Sequence, residues 1–167
     1  GEPDINSAVY ALKKRYPQLL ELVIFPLYPQ YAQSTTQTAI EHIKRYFDKY
    51  SHSFRLKFID PYYNHPAYIK ALAKSALPYL QDIDRLIFSY HSLPTNQIEA
   101  AGKNGINFDY IYQVKETNRL FCEEVGFDLL RTSLVFSSQR GDNWMKPFLN
   151  TEIKELPSQG FKKVAVM

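Results

Sequence analysis

RLIFSYHSLP, Arg85 to Pro94, decides how this chain is read. Leu86, Ile87 and Phe88 form a short apolar run between a charged residue and a Ser/Pro-rich segment, the pattern of a strand buried on both faces. A strand end is a rigid platform, and the loop after it is open to solvent, so His91 stands where a ligand can meet it. Two roles fit a lone histidine there: closing the strand through a backbone hydrogen bond, or offering its ring nitrogens to a ligand.

Outward from this strand, apolar runs alternate with helical patterns. Ile5 to Tyr16 reads as a helix ended by Pro17. Leu20 to Leu27 is nearly continuous in apolar residues, which predicts another strand buried on both faces. Thr36 to Tyr50 predicts a helix with Ile40, Ile43 and Phe47 on one face, capped by Ser34 or Thr35. Arg55 to Ile59 is a short strand, followed by the loop Asp60 to Pro66 and a helix over Ala67 to Leu80. Beyond the histidine come a helix over Val114 to Val125 closed by Gly126, a strand over Arg131 to Ser137, a short helix over Thr151 to Leu156, and a strand over Lys162 to Met167.

Strand-helix alternation of this kind implies an α/β fold with parallel sheets and helices on both faces. Ligands of such folds sit beyond the carboxyl ends of the strands. Three strands here run into polar or aromatic loops: Tyr28 to Thr36, His91 to Thr95, and Ser137 to Asp142. Neither GxGxxG nor GxxxxGK(S/T) occurs, so nucleotide binding has little support.

The 167 residues are 45% hydrophobic and 22% charged, enough to bury a core. A net charge of +3, with Lys and Arg scattered among acids, gives no basic run to track phosphates, and nucleic acid is not indicated. The 13 Tyr and 11 Phe make the chain rich in aromatics, most of which in any fold serve the core. One cysteine, Cys122, excludes an intrachain disulfide and any Cys-cluster site. No run of 18 apolar residues and no signal-like start occur, so no transmembrane segment is expected; a cytoplasmic location is, with peripheral membrane contact left open.

FSYHSLP, Phe88 to Pro94, resembles the FSxHxLP segment of ferrochelatases, which insert ferrous iron into a porphyrin in heme biosynthesis. LYPQYAQSTT, Leu27 to Thr36, is similar to the family's LPLYPQYSxSTTG loop, and VFSSQRGDNWMKPFLNT, Val135 to Thr151, to its SFQSRVGPxxWLxPYT segment. The three occur in the family's order, and weaker similarity covers nearly the whole chain. The resemblance implies two Rossmann-like, chelatase-type parallel-sheet halves around a cleft, only partly present here. Residues 1–60 would end the first half and residues 61–167 would form most of the second. The family's glycine-rich first strand and Arg-Tyr pair would lie upstream of Gly1, and its second catalytic carboxylate, a Glu in FxxDxxETL, would follow Met167. An internal fragment of a longer enzyme, inactive by itself, is the expectation.

By the same resemblance, His91 is the catalytic residue and a metal ligand. Removing pyrrole protons while iron sheds water suits an imidazole, which can accept a proton near neutral pH or ligate a metal. Tyr28, Tyr31, Ser34, Thr35, Thr36, Ser92, Leu93, Pro94 and Trp144 are implied to line the porphyrin site, with Tyr28 reaching the interior because it follows a buried strand. Arg140 is able to pair with a propionate or to remain a solvated loop residue. His42, His52 and His65 read as structural, His65 through local hydrogen bonding in its NHP turn. Fe(II) is the substrate metal and no organic cofactor is implied. Some members carry a 2Fe–2S cluster using a Cys in the loop matched by Tyr31 to Thr36, but this loop has none, so no cluster is expected. Tyr90, Ser92 and Ala32 depart from the common Ala, Gly and Ser, and the first two are expected to add bulk beside His91. Protoporphyrin and coproporphyrin stay open as substrates. A cobalt chelatase of the same superfamily and a non-catalytic tetrapyrrole or metal carrier are the alternatives.

Overall fold

The computed structural model describes residues 4–167, which divide after Pro61 into two compact units. In the first, helix α1 (Ile5–Arg15) begins at Asp4, whose carboxylate accepts the Ser7 N–H at 2.7 Å, and ends in Lys13, Lys14 and Arg15, cations suited to a helix C-terminus. Strand β1 (Glu21–Ile24), helix α2 (Thr38–Lys49) and strand β2 (Arg55–Phe58) form a parallel strand-helix-strand unit, with Glu21 opposite Arg55 and Ile24 opposite Phe58. Val9, Phe47 and Phe54 make its core, with Leu22, Ile43 and Leu56 packed against them.

The expectation of a doubly buried strand over Leu20 to Leu27 is corrected here. β1 has four residues, alternates exposed and half-buried positions, and leaves Leu20, Val23, Phe25 and Leu27 exposed. Its sheet has two strands and one packed face, so a continuous apolar run finds cover for only half its side chains among the described residues.

The second unit runs through helix α3 (Pro66–Ala76), strand β3 (Arg85–His91), helices α4 (Thr95–Gly102) and α5 (Tyr110–Val125), strand β4 (Thr132–Ser137), helix α6 (Leu149–Glu155) and strand β5 (Val164–Val166). Its sheet has the order β4-β3-β5, parallel throughout, with β3 in the centre. Side chains alternate across a strand, and β3 needs cover on both sides. Leu86 and Phe88 enter a core with Ile83, Ala73 of α3, and Phe121 and Cys122 of α5. Ile87 enters a second core with Val135 and Leu156, against Leu149 and Phe161. These two cores give the expected α/β arrangement of helices on both faces of a parallel sheet.

Two helices differ from the sequence reading. α4 occupies what reads as loop: it is short, lacks a side-chain cap and buries only Ala101, so its sequence carries little amphipathic signal. α5 begins four residues early, because Asp109 accepts the Tyr112 N–H at 2.9 Å and starts the helix ahead of its apolar stripe. It ends at Gly126, whose left-handed φ of 68° suits a residue without Cβ. Inside this core burial pushes the Cys122 thiol up to about 11, with Asp128 and Glu123 adding to the shift.

Asp84 ties the edge strand to the centre. Its carboxylate accepts the N–H groups of Lys162 and Lys163 at 2.7 and 2.8 Å, and the Lys163 bond, then the Lys162 bond, lower its pKa below 3.8. A carboxyl depressed on folding stabilises the fold above its unfolded pKa, and that contribution disappears as pH falls through the folded value. Amide exchange at Met167, whose N–H bonds Ile87, is therefore expected to lose protection as pH drops below 3.8. Asp84→Asn should show that weaker protection already at neutral pH, with the acid dependence flattened.

Candidate functional site

His91 is the last residue of β3, opposite Ser137 of β4, and its side chain is exposed. Alternation places it on the sheet face of Ile87 and Val135, the side that α6 covers lower down. The backbone around it is held at each step. The Ser92 N–H donates to Ser137 O at 2.8 Å, Ser137 Oγ donates to Tyr90 O at 3.2 Å, and Tyr110 Oη donates to His91 O at 3.1 Å. The imidazole projects from a fixed platform with its ring nitrogens in solvent.

Tyr90 and Ser92 both turn away from the imidazole, which corrects the expectation that they add bulk beside it. Tyr90 faces the α5 core, and its hydroxyl donates to Asn118 Oδ1 at 2.8 Å; burial, first of all, raises its pKa strongly. Ser92 has no solvent exposure and donates to Met145 O at 3.1 Å. Leu93 is buried as well, and its carbonyl accepts the Met145 N–H at 3.1 Å. Pro94 pairs with Trp144 in an isolated antiparallel bridge, and the Thr95 N–H bonds Asn143 O at 2.9 Å.

These bonds bring together His91, Ser92, Leu93, Pro94 and Trp144, predicted from two separate motifs. Trp144 is half-buried and packs over Gly141, with its Cδ1 3.5 Å from where a Cβ there would stand. Next to this loop pair, between the end of β4 and the start of α6, lies a cavity of about 450 Å³ lined by Ser137, Ser138, Gln139, Phe148, Asn150 and Ile153. Ser138 holds φ at 64°, a left-handed conformation that costs a non-glycine residue energy and recurs at ligand sites. Arg140 is exposed and joins no ion pair among the described residues.

The Tyr28 to Thr36 loop belongs to the first unit. Tyr28 is 44% exposed and Tyr31 only 8%, the reverse of the expectation that Tyr28 reaches the interior. β1 ends four residues before Tyr28 and gives it no buried surroundings. Tyr31 instead folds inward and donates to Gln37 Oε1 at 2.5 Å, while Gln37 Nε2 donates to Glu41 at 2.7 Å. Burial, then the Glu41 charge, raises the Tyr31 pKa. Neither Ser34 nor Thr35 caps α2. A π turn over Gln33–Gln37 precedes Thr38, and in its place Thr38 Oγ1 donates to Gln33 O at 2.7 Å. Thr36 is buried with its hydroxyl toward Gln30 O, Thr35 is half-buried and Ser34 is exposed. Such π turns are frequent at functional sites.

His52 and His65 make the local bonds expected of structural residues, whereas His42 makes none among the described residues. His65 Nδ1 accepts the Ala67 N–H at the start of α3, His52 bonds Phe54 O at 2.7 Å and stacks on its ring, and His42 lies exposed on α2. Among the described residues no three His, Cys, Asp or Glu side chains gather to hold a metal, and no helix is long and apolar enough to cross a membrane. Sequence reasoning passed over Tyr110 and Asn118. The N-cap signal of Asp109 before an apolar stretch would have drawn Tyr110 into the helix.

A model of the ferrochelatase family matches residues 1–167. Curated ferrochelatases from Pseudomonas putida, Hydrogenovibrio crunogenus and Stutzerimonas stutzeri are 34%, 33% and 31% identical, over 99%, 100% and 100% of this chain. The matches cover 53%, 43% and 54% of those proteins, so the chain spans about half the length of the curated relatives it matches.

The Ser92 bond to Met145 O makes the loop after His91 and the Trp144 segment depend on each other. Ser92→Ala leaves a buried carbonyl without its hydroxyl partner and is expected to cost about 1–2 kcal/mol in denaturant unfolding. As the sole tryptophan, Trp144 should at the same time become more accessible to acrylamide quenching.

Proposed function

This chain belongs to the ferrochelatase family, and from that premise we propose that the protein inserts ferrous iron into a porphyrin, with His91 as its catalytic residue. The observation that carries the proposal is an exposed imidazole at the carboxyl end of the central strand, on a backbone hydrogen-bonded to Ser137 and Tyr110. Parallel α/β sheets bind ligands at that end.

Insertion exchanges two pyrrole protons for one metal ion. Two N–H bonds break, iron–nitrogen bonds form, the protons leave, and iron remains ferrous throughout. Neutral imidazole accepts a proton from a pyrrole nitrogen, or holds the incoming ion while it sheds water. Trp144 and Pro94, joined beside His91, supply an apolar and aromatic wall for a flat macrocycle. Ser92 and Leu93, being buried, support that wall from behind. In the first unit Tyr28 and Ser34 are exposed, Thr35 is half-buried, and Tyr31 and Thr36 brace their loop.

The test uses the full-length protein, with Fe(II) supplied anaerobically to protoporphyrin and to coproporphyrin and insertion followed by absorbance. His91→Ala is expected to lower turnover by at least about 100-fold, with porphyrin affinity within a few-fold of the parent. Near-normal turnover by the variant would refute the role of His91. Porphyrin binding without turnover by the parent itself would make the protein a carrier.

A further inference from the structure

We infer that helix α5 positions His91 through two phenol hydrogen bonds, Tyr110 to the His91 carbonyl and Tyr90 to Asn118, so that Tyr110, Tyr90 and Asn118 are positioning residues for metal insertion. The inference rests on the reading of His91 given above.

It begins with the ladder of β3. Successive residues of a strand turn their backbone groups to opposite neighbours. On the β5 side the Met167 N–H bonds Ile87 O, and the Ser89 N–H bonds Met167 O. The His91 carbonyl turns to that same side and accepts the Tyr110 hydroxyl at 3.1 Å. Tyr110 is 7% exposed, and burial pushes its phenol up to about 12, so it remains a donor over the whole neutral range.

The second bond works one residue earlier and in the opposite direction. Tyr90 faces α5, and its hydroxyl reaches Asn118 Oδ1 at 2.8 Å. Asn118 is 5% exposed and lies two turns along the same helix face as Tyr110. Consecutive strand residues are thus braced by one helix, through a carbonyl at His91 and a side chain at Tyr90. On the β4 side Ser137 holds the peptide units on either side of His91. None of these groups touches the imidazole, so its nitrogens stay free while its Cα is fixed. A reacting group misplaced by a fraction of an ångström loses rate without losing substrate affinity.

Tyr110→Phe and Tyr90→Phe remove one hydroxyl each and retain the ring. In the full-length protein, assayed anaerobically with Fe(II) and protoporphyrin well below the unfolding temperature of every variant, each should lower kcat about three- to tenfold. KM for porphyrin should stay within about twofold. Wild-type kcat in both single variants and in the double variant would overturn the inference, whatever happens to the melting temperature, since a purely structural bond affects stability alone. Loss confined to KM would overturn it too. His91→Ala in the same series separates the two readings. An inactive His91→Ala beside fully active phenylalanine variants defeats the positioning role only, whereas an active His91→Ala defeats the assignment on which it rests.

Discussion

Burial of Leu86, Ile87 and Phe88 from both sides is the constraint on which the second unit depends. Three consecutive apolar side chains in an extended strand point alternately to opposite faces, so no single layer can cover them. α3 and α5 answer one face, and α6 with its following turn answers the other. Each fully buried side chain of this size contributes about 1.5–3 kcal/mol of apolar transfer. The first place where the chain can leave that interior is its carboxyl end, at His91.

The same alternation divides labour between neighbours. Tyr90 turns into the α5 core and His91 turns out on the α6 face, although they are adjacent in sequence. Tyr90 therefore adds its bulk to the core, where the phenol has packing and an acceptor in Asn118. Ser92 repeats the pattern: its hydroxyl is wholly enclosed and bonded to Met145 O. Residues that look from sequence like obstructions beside a histidine form part of its foundation.

In the first unit the described residues pack against one face of an apolar run. β1 and β2 bury Leu22 and Leu56 against α1 and α2, while Val23 and Phe25 remain exposed. Its loop follows a different logic from the sheet. Tyr31, Gln37, Glu41 and Arg45 form a relay of hydrogen bonds that fastens a π turn to the start of α2. Hydroxyls that read as a set are thereby separated into internal braces, Tyr31 and Thr36, and exposed groups, Tyr28 and Ser34.

Periodicity and local chemistry were enough to determine the parallel α/β class, the buried strand over Arg85 to Tyr90, most helices, and the placement of His91 at a strand end. These rest on repeats of two and 3.6 residues and on turn and cap residues, all of which act within a few positions of the chain. Boundaries failed where the local signal was weak, as in α4, or where a cap lay ahead of the apolar stripe, as at Asp109. Which tyrosine of Tyr28 and Tyr31 is buried, which helix holds the His91 carbonyl, and that Ser92 answers to Met145 were decided only by the tertiary structure. Burial is set by whatever packs against a side chain, and a buried polar atom takes the nearest partner in space; those neighbours lie 19 residues away for Tyr110 and 53 for Met145, beyond the reach of any local pattern.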